Sequence, residues 1–497
     1  MNTLICPDSH NPYSNNPHAH EKEPRSHVVH KGKHYTKFLY EVKIPTLTRL
    51  IKIIQVIAFT VITCFLALAF QSTRKLWSDG ITGKECVNVL MPQYSWDSED
   101  VAMHIASFLS LGDLLFMGAT STHNNAITKT ILMNRLNAGT ITPHDLGINN
   151  VTHLIEYFGT ECSKIIRLDL QNFSPLNTSD IEKISEHFKN VNYLLLLKCT
   201  INDDAIVHFT NMNHLKSLTL EECEQLNNVN LLQNCKELTT LDFSGSTHIQ
   251  DFSFLQNCPK IKSINFAGCH QINDFRFLKN CTEITALKFW GCSGQINDIS
   301  FLEHCPHITS LKLIENEQIN DFSFLNNCPN LIELDLSDCC HINDFSFLQN
   351  CRELASLSLR RCQQIDDFSF LQYCKNLTSL NLSDCTHIND FNFLQFCPHL
   401  TSLDLSGCKQ ITDGNFLQLC PHLTSLDLSF CDQINNIFFL QYCKKLTSLD
   451  LASCKQIIDI SFLEHCPRLR SLNLSWFRQI NEFNIQALRT RGVIIKC

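Results

Sequence analysis

One phrase returns every 23 residues along the second half of the chain and limits the folds available to it. A clear copy, residues 400–421, is LTSLDLSGCKQITDGNFLQLCP. Its first leucine recurs at that interval at Leu331, Leu354, Leu377, Leu400, Leu423, Leu446 and Leu469. A fixed period of this length indicates a repeat architecture, in which each unit buries its apolar face against its neighbours.

The pattern L-x-x-L-x-L-x-x-C/N-x-L/I within this period is typical of leucine-rich repeats. Its central slots are Leu168, Leu194, Leu218, Leu241, Ile264, Leu287, Leu311, Leu334, Leu357, Leu380, Leu403, Leu426, Leu449 and Leu472. Because side chains alternate along a strand, the leucines point inward and the residues between them face a concave surface. The short unit leaves room for 3₁₀ turns on the convex side. We expect an α/β leucine-rich-repeat solenoid with a parallel sheet over residues 163–497, closed by a C-terminal cap.

Most of the 27 cysteines fall into two columns set by the repeat, represented by Cys420 after the convex turn and Cys408 after the strand motif. Phe188 and Met212 fill the first slot in other repeats, which indicates buried packing by free thiols. The rival is zinc, but the sequence has no C-x-x-C pair. Ladders of free thiols predict that the repeats lie in a reducing cytosol.

An aspartate recurs where most of the convex turns begin, for example Asp367 and Asp413. A carboxylate at this point can accept hydrogen bonds from the N–H groups that open a turn. A calcium-binding ladder is the alternative, but capping explains every member of the column. We therefore expect no metal and no cofactor.

The N-terminal part has a different composition. Residues 1–44 are polar and rich in histidine, which favours a disordered tail over a metal-binding tract. Residues 53–70 carry no charge over 18 residues and as a helix would span about 27 Å. We predict a transmembrane helix within 45–75, lipid contact through 53–70, single-pass membrane localisation, and a linker over 76–89. A buried helix and a signal peptide are the alternatives.

Residues 90–136 show helical spacing of apolar residues. Val101, Ile105, Phe108 and Leu109 form one apolar face. Asp113 can cap a second, short helix, and a third is expected around 127–136. One interpretation is a small helical cap for the repeats, joined to them by a connector over 137–162.

This segment also resembles an F-box, whose pattern is Leu-Pro, a spaced helix face, and then Asp-Leu-Leu with a further helix. The residues that carry the resemblance are Met91, Pro92, Ile105, Phe108, Leu109, Asp113, Leu114 and Leu115. The arrangement is similar to F-box/leucine-rich-repeat substrate receptors of SCF ubiquitin ligases, including those of bacteria that live inside eukaryotic cells. The resemblance implies that Pro92, Ile105, Phe108, Leu109, Asp113, Leu114 and Leu115 contact the SCF adaptor, and that the repeats hold a protein target.

The concave slots are filled mostly by Ser and by Asp or Asn, as expected of a solvated face. The departures from this rule in the middle of the array are Lys288, Trp290, Lys312, Ile314, Arg360 and Arg361. Trp and Arg dominate interface energetics, so we predict that these six residues bind a protein partner. Secondary candidates are Glu221, Glu222, Phe430 and Trp476. Neutral drift on a permissive face is the alternative.

Two functions remain open from the sequence. The net charge is −9 and the 40 Lys and Arg form no basic stripe, so nucleic acid is not an expected partner. The chain has no G-x-S-x-G, H-E-x-x-H or phosphate-loop motif, and we do not expect an enzyme. The first function is an SCF substrate receptor. The second is a membrane-tethered scaffold for protein interactions with no role in ubiquitination.

Overall fold

The computed structural model describes residues 28–30, 33–35, 109–119, 122–173, 175–272, 274–291, 298–319, 321–477 and 482–497. The chain divides into two compact units, Met1–Ile131 and Leu132–Cys497. In the first unit, strands β1 (Val28–His30) and β2 (Lys33–Tyr35) pair in antiparallel orientation. Helix α1 (Leu111–Gly118) follows, and α2 (Thr122–Asn137) begins in this unit.

Helix α1 lies where the sequence predicts the second helix of the 90–136 segment, but its start differs. The Ser110 hydroxyl accepts a hydrogen bond from the Asp113 N–H at 3.2 Å and donates one to the Asp113 carboxylate at 2.6 Å. Ser110 is therefore the capping residue, and the Asp113 carboxylate holds its hydroxyl in place. The predicted first helix, with Val101, Ile105 and Phe108, lies outside the described residues.

The prediction of single-pass membrane localisation, with the repeats in a reducing cytosol, is wrong. Within the described ranges, no helix is both long and apolar enough to cross a bilayer. The longest of them, α2, has 16 residues and would span about 24 Å of a hydrocarbon core of ~30 Å. The predicted span at 53–70 lies outside the residues that the structure describes.

The second unit contains one parallel sheet whose fifteen strands, β3 to β17, are stacked in sequence order. The strands are β3 Arg167–Asp169, β4 Tyr193–Leu197, β5 Ser217–Glu221, β6 Thr240–Asp242, β7 Ser263–Asn265, β8 Ala286–Trp290, β9 Ser310–Ile314, β10 Glu333–Asp335, β11 Ser356–Ser358, β12 Ser379–Asn381, β13 Ser402–Asp404, β14 Ser425–Asp427, β15 Ser448–Asp450, β16 Ser471–Asn473 and β17 Ile494–Lys496. The central leucine or isoleucine of each of the fourteen predicted motifs is at most 2% exposed. The fifteenth strand, β17, comes from the segment expected to form the C-terminal cap.

The convex side changes along the array. Its helices are α3 Val151–Phe158, α4 Thr178–His187, α5 Ile206–Phe209 and α6 Glu482–Thr490. Between α5 and α6 the connections are 3₁₀ turns, namely Asn230–Asn234, Ser253–Asn257, Arg276–Asn280, Ser300–His304, Ser323–Asn327, Ser346–Asn350, Ser369–Tyr373, Asn392–Phe396, Asn415–Leu419, Phe438–Tyr442 and Ser461–His465. The prediction of 3₁₀ turns is therefore confirmed for the 23-residue units. The longer first connections have room for α-helices.

Each repeat completes the hydrogen bonding of the repeat before it. The Thr378 carbonyl accepts bonds from the Thr401 N–H at 2.8 Å, the Ser402 N–H at 2.9 Å and the Thr401 hydroxyl at 3.0 Å. The same threonine hydroxyl bond recurs one and two repeats later, at Thr424 and Thr447. These bonds fix the register of neighbouring strands at the N-terminal edge of the sheet.

Thiols of the second cysteine column link the repeats at the other end of the strands. Cys408 donates to the Leu382 carbonyl at 3.2 Å, and Cys431 donates to the Leu405 carbonyl at the same distance. Ser246 replaces cysteine in this column, and its hydroxyl donates to the Leu220 carbonyl at 2.7 Å. Burial raises the pKa of Cys408 to about 12, so the donated proton stays on sulfur. The sequence predicted apolar packing and missed this donor role.

The recurring aspartate caps the convex turn, as predicted. Asp367 accepts the Ser369 N–H at 2.7 Å, and Asp413 accepts the Asn415 N–H at 2.9 Å. Asn228 makes the equivalent contact with the Asn230 N–H at 2.9 Å. The hydrogen bonds from the backbone and side chain of Ser369 lower the pKa of Asp367 below its ordinary value.

Substitution of Asp367 should therefore show a defined dependence on pH. Asp367→Ala is expected to lower the unfolding free energy at pH 7 by about 1 kcal/mol, the usual cost of losing a cap. Asp367→Asn should cost less, because Asn228 caps its own turn with an amide oxygen. Since the folded-state pKa is lowered, the carboxylate's contribution is complete above the ordinary value of 3.8 and is lost as the pH falls through the folded pKa.

Urea unfolding of the full chain at neutral and acidic pH measures this effect. The difference between wild type and Asp367→Asn should shrink in acid. A difference that is unchanged or larger at low pH would contradict the assigned cap.

Candidate protein-binding surface

Strands β8 and β9 bring four of the six predicted binding residues together. Lys288 pairs in register with Lys312, and Trp290 pairs with Ile314. Phe289, between Lys288 and Trp290, is 1% exposed, so these two side chains leave the opposite, concave face of the sheet. Both strands have five residues, as do β4 and β5, whereas the other strands of the sheet have three each.

Trp290 presents a large apolar side chain on this polar face. The residue is 48% exposed, and the Lys288 ammonium lies 6.0 Å from the centroid of its ring. That distance is at the outer limit of a cation–π contact. Ile314 lies beside it and is partly buried. Together, the two residues form a small apolar centre.

Lys312 is paired with Glu333 on the next strand, a residue that the repeat pattern alone does not single out. Its ammonium lies 2.6 Å from one Glu333 carboxylate oxygen, and the Ser310 hydroxyl donates to the other at 2.7 Å. Burial alone would raise the pKa of Glu333, but the bonds from Lys312 and Ser310 together lower it. The positive charge of Lys312 is thus compensated within the surface.

Arg360 and Arg361 lie further along the sheet, after β11. Arg361 contacts the Asp384 carboxylate at 3.1 Å and the Asp338 carboxylate at 3.5 Å. Arg360 lies 3.7 Å from the same Asp384 carboxylate. Asp338, Arg361 and Asp384 are spaced 23 residues apart, so comparing one column of the repeat across its neighbours would have found this ion-pair ladder.

The six residues therefore form two groups rather than one. Lys288, Trp290, Lys312 and Ile314 occupy β8 and β9, while the arginines are separated from them by β10. β8, which carries Trp290, and β11, which precedes Arg360, are three strand spacings apart, about 14 Å. This distance is well within the width of an ordinary protein interface.

A column of residues with a left-handed backbone follows the strands. Several residues that depart from the repeat pattern lie in this column. In every repeat after the first, the residue four places after the central leucine or isoleucine has a left-handed backbone, with φ of 57° at Arg361 and 70° at Gly407. This conformation costs a non-glycine residue roughly 1–2 kcal/mol. Two secondary candidates, Phe430 and Trp476, also adopt it, with φ of 59° and 69°. A further secondary candidate, Glu222, also has a left-handed backbone, and its carboxylate lies 3.3 Å from the Lys198 ammonium.

The residues predicted to bind an adaptor are described only in part. Pro92, Ile105 and Phe108 lie outside the described residues, whereas Leu109, Asp113, Leu114 and Leu115 lie within them. Leu114 is fully buried, and its carbonyl accepts a hydrogen bond from the Thr128 hydroxyl at 3.2 Å. Leu115 is 36% exposed. Leu114 is thus a core residue, and Leu115 is the leucine of this pair that faces solvent.

Comparison with protein families identifies the repeats. Residues 172–295 match a BspA-type leucine-rich repeat region. Residues 375–418 and 421–465 match models of leucine-rich repeats, as do residues 327–344. These matches lie C-terminal to the 90–136 segment. No curated protein matches the chain at a significant level.

Solved structures with a similar fold include an internalin, InlF, from Listeria monocytogenes. It is 24% identical over 63% of this chain and 87% of its own, with a TM-score of 0.50. A leucine-rich-repeat protein from Leptospira interrogans is 13% identical over 70% of this chain and 99% of its own, with a TM-score of 0.41. The family matches and the fold agree that the second unit of this chain carries leucine-rich repeats.

Proposed function

We propose that this chain is a scaffold for protein interactions that binds a protein partner on the concave face around β8 and β9. The observation that carries the proposal is the in-register pair of Trp290 and Ile314 on a face filled mostly by Ser, Asp and Asn. A half-exposed indole on such a face gains free energy when a partner covers it.

The surrounding charges suit the rim of an interface. Lys312 is held by Glu333, and Arg361 by Asp338 and Asp384, so fewer side-chain rotamers need to be ordered on binding. Positive and negative side chains are interspersed around the apolar centre. The partner is therefore selected by its shape and by its match to the centre more than by net charge.

The partner should be captured from this surface and then used to test it. A photo-reactive amino acid at Ile314 of the full chain crosslinks a partner that covers β9, and the same group at Leu231, which is exposed on the convex turn Asn230–Asn234, is the control. We then expect the triple variant Trp290→Ser, Arg360→Ser and Arg361→Gly to weaken binding of that partner by at least tenfold. Loss of a single hot-spot residue typically costs about 2 kcal/mol or more.

The three replacements are residues that the same slots hold elsewhere, Ser383 and Ser406 for the first two and Gly407 for the third. They therefore change the surface with little change to the strand. The matched control is Ser383→Ala with Ser406→Ala. Unchanged affinity of the triple variant, confirmed as folded by circular dichroism, would remove the proposal.

A second candidate function is the substrate-receptor role in an SCF ubiquitin ligase that the F-box resemblance implies. The observation that favours it is the pair α1 and α2, which lies where the resemblance requires helices, with Leu115 exposed. In this role the α1 surface would contact the adaptor and the concave face would hold the protein target.

A pull-down of the SCF adaptor with the full chain distinguishes the two candidates. If the receptor role is right, wild type binds the adaptor and Leu115→Glu does not. Leu231→Glu, which changes an exposed leucine on a 3₁₀ turn, should leave binding intact. Failure of the wild-type chain to bind would leave an interaction scaffold with no role in ubiquitination.

A further inference from the structure

Two exposed aromatic residues lie near the C-terminal end of the array, far from β8 and β9. Phe430 is 54% exposed and Trp476 is 76% exposed. Both occupy the left-handed column that follows the strands, and Ser453 lies between them in that column. Ser453 is only 5% exposed, so the rings flank a shielded, small side chain.

The left-handed backbone at these two positions does not require an aromatic side chain. Gly407 and Ser453 hold the same left-handed slot with smaller side chains, and bulky residues are strained there. An unfavourable backbone conformation carrying an exposed ring is a reason to look for a binding role.

The adjoining concave face carries negative charge. Asp404, Asp427 and Asp450 occupy the same position on β13, β14 and β15 and are paired in register. Adjacent strands lie ~4.8 Å apart, so the three carboxylates form a continuous row. Among the described residues, none of the ion pairs involves them. Burial raises the pKa of Asp427 against the lowering effect of hydrogen bonds from Ser429, and the charges of Asp404 and Asp450 raise it by a smaller amount.

We propose that Phe430 and Trp476, together with the row Asp404, Asp427 and Asp450, bind an extended, arginine-rich segment of a protein partner. Charge complementarity selects this occupant, because a cation satisfies carboxylates that have no basic partner in the described chain. A guanidinium also stacks on aromatic rings and binds carboxylates in a bidentate manner, which an ammonium does not.

This surface is separate from the one proposed above. β8, which carries Trp290, and β16, which precedes Trp476, are eight strand spacings apart, about 38 Å. The same strand position that carries Lys288 and Lys312 on β8 and β9 carries the aspartates here. The two surfaces therefore differ in charge and can be tested independently.

The test uses the full chain and a fluorescent nine-residue peptide of alternating arginine and serine, followed by anisotropy. Peptides with lysine or glutamate in place of arginine are the controls. We expect the arginine peptide to bind at least tenfold more tightly than the glutamate peptide and more tightly than the lysine peptide. Arginine binding no tighter than glutamate binding overturns the proposal.

Two variants separate the contributions of charge and ring. In Asp404→Asn with Asp427→Asn and Asp450→Asn, the local turns should persist, because Asn381 already accepts the Ser383 N–H at 2.8 Å in the same slot. Phe430→Ser with Trp476→Ser introduces the residue found at Ser453. Each variant should lower affinity for the arginine peptide at least tenfold, with no decrease in the thermal unfolding midpoint for the serine variant.

Trp290→Ser should leave peptide binding unchanged, which keeps this result independent of the first surface. If the aspartate variant loses peptide binding while the Phe430→Ser, Trp476→Ser variant keeps it, the peptide is held only by general attraction between charges. That result would contradict the proposal. Retention of binding in the aspartate variant would contradict it as well.

Discussion

The structure depends on the constant step from one repeat to the next. Because each strand pairs in register with the next one, in most repeats 23 residues away, a carbonyl of one repeat finds its donors in the following one. The Thr378 carbonyl receives three such donors, and the Leu382 carbonyl receives the Cys408 thiol. An isolated repeat would leave these groups to water and its leucines exposed, so stability belongs to the stack rather than to the unit.

This constraint separates residues that hold the stack from residues that are free to vary. Central leucines, ladder threonines, thiols and capping aspartates are repeated because each has the same neighbours in every repeat. Residues on the concave face and in the left-handed column meet fewer constraints, and the chain differs there. Basic and apolar side chains replace the usual polar ones on β8 and β9, whereas the carboxylates of Asp404, Asp427 and Asp450 lie on β13 to β15.

Periodic features could be predicted from the sequence, because position in the period determines their surroundings. The buried leucines, the 3₁₀ turns and the role of Asp367 follow from position alone. Features set by a particular neighbour were missed, such as Glu333 beside Lys312 and Asp384 beside Arg361. The donor role of Cys408 was missed because an apolar column and a thiol ladder have the same sequence pattern. Membrane localisation was inferred from the composition of 53–70 alone, and no described helix supports it.

We expect the residues of the repeated columns to stabilise the stack and the departures from the repeat to contribute little to stability. Guanidinium unfolding of the full chain with Cys408→Ala or Arg361→Gly tests this expectation directly. Cys408→Ala removes a buried donor and leaves a small cavity, so the unfolding free energy should fall by about 1–3 kcal/mol. Arg361→Gly removes solvent-exposed ion pairs, which contribute little to stability, and relieves a left-handed backbone, so no decrease in the unfolding free energy is expected. A loss for Arg361→Gly as large as that for Cys408→Ala would contradict the account.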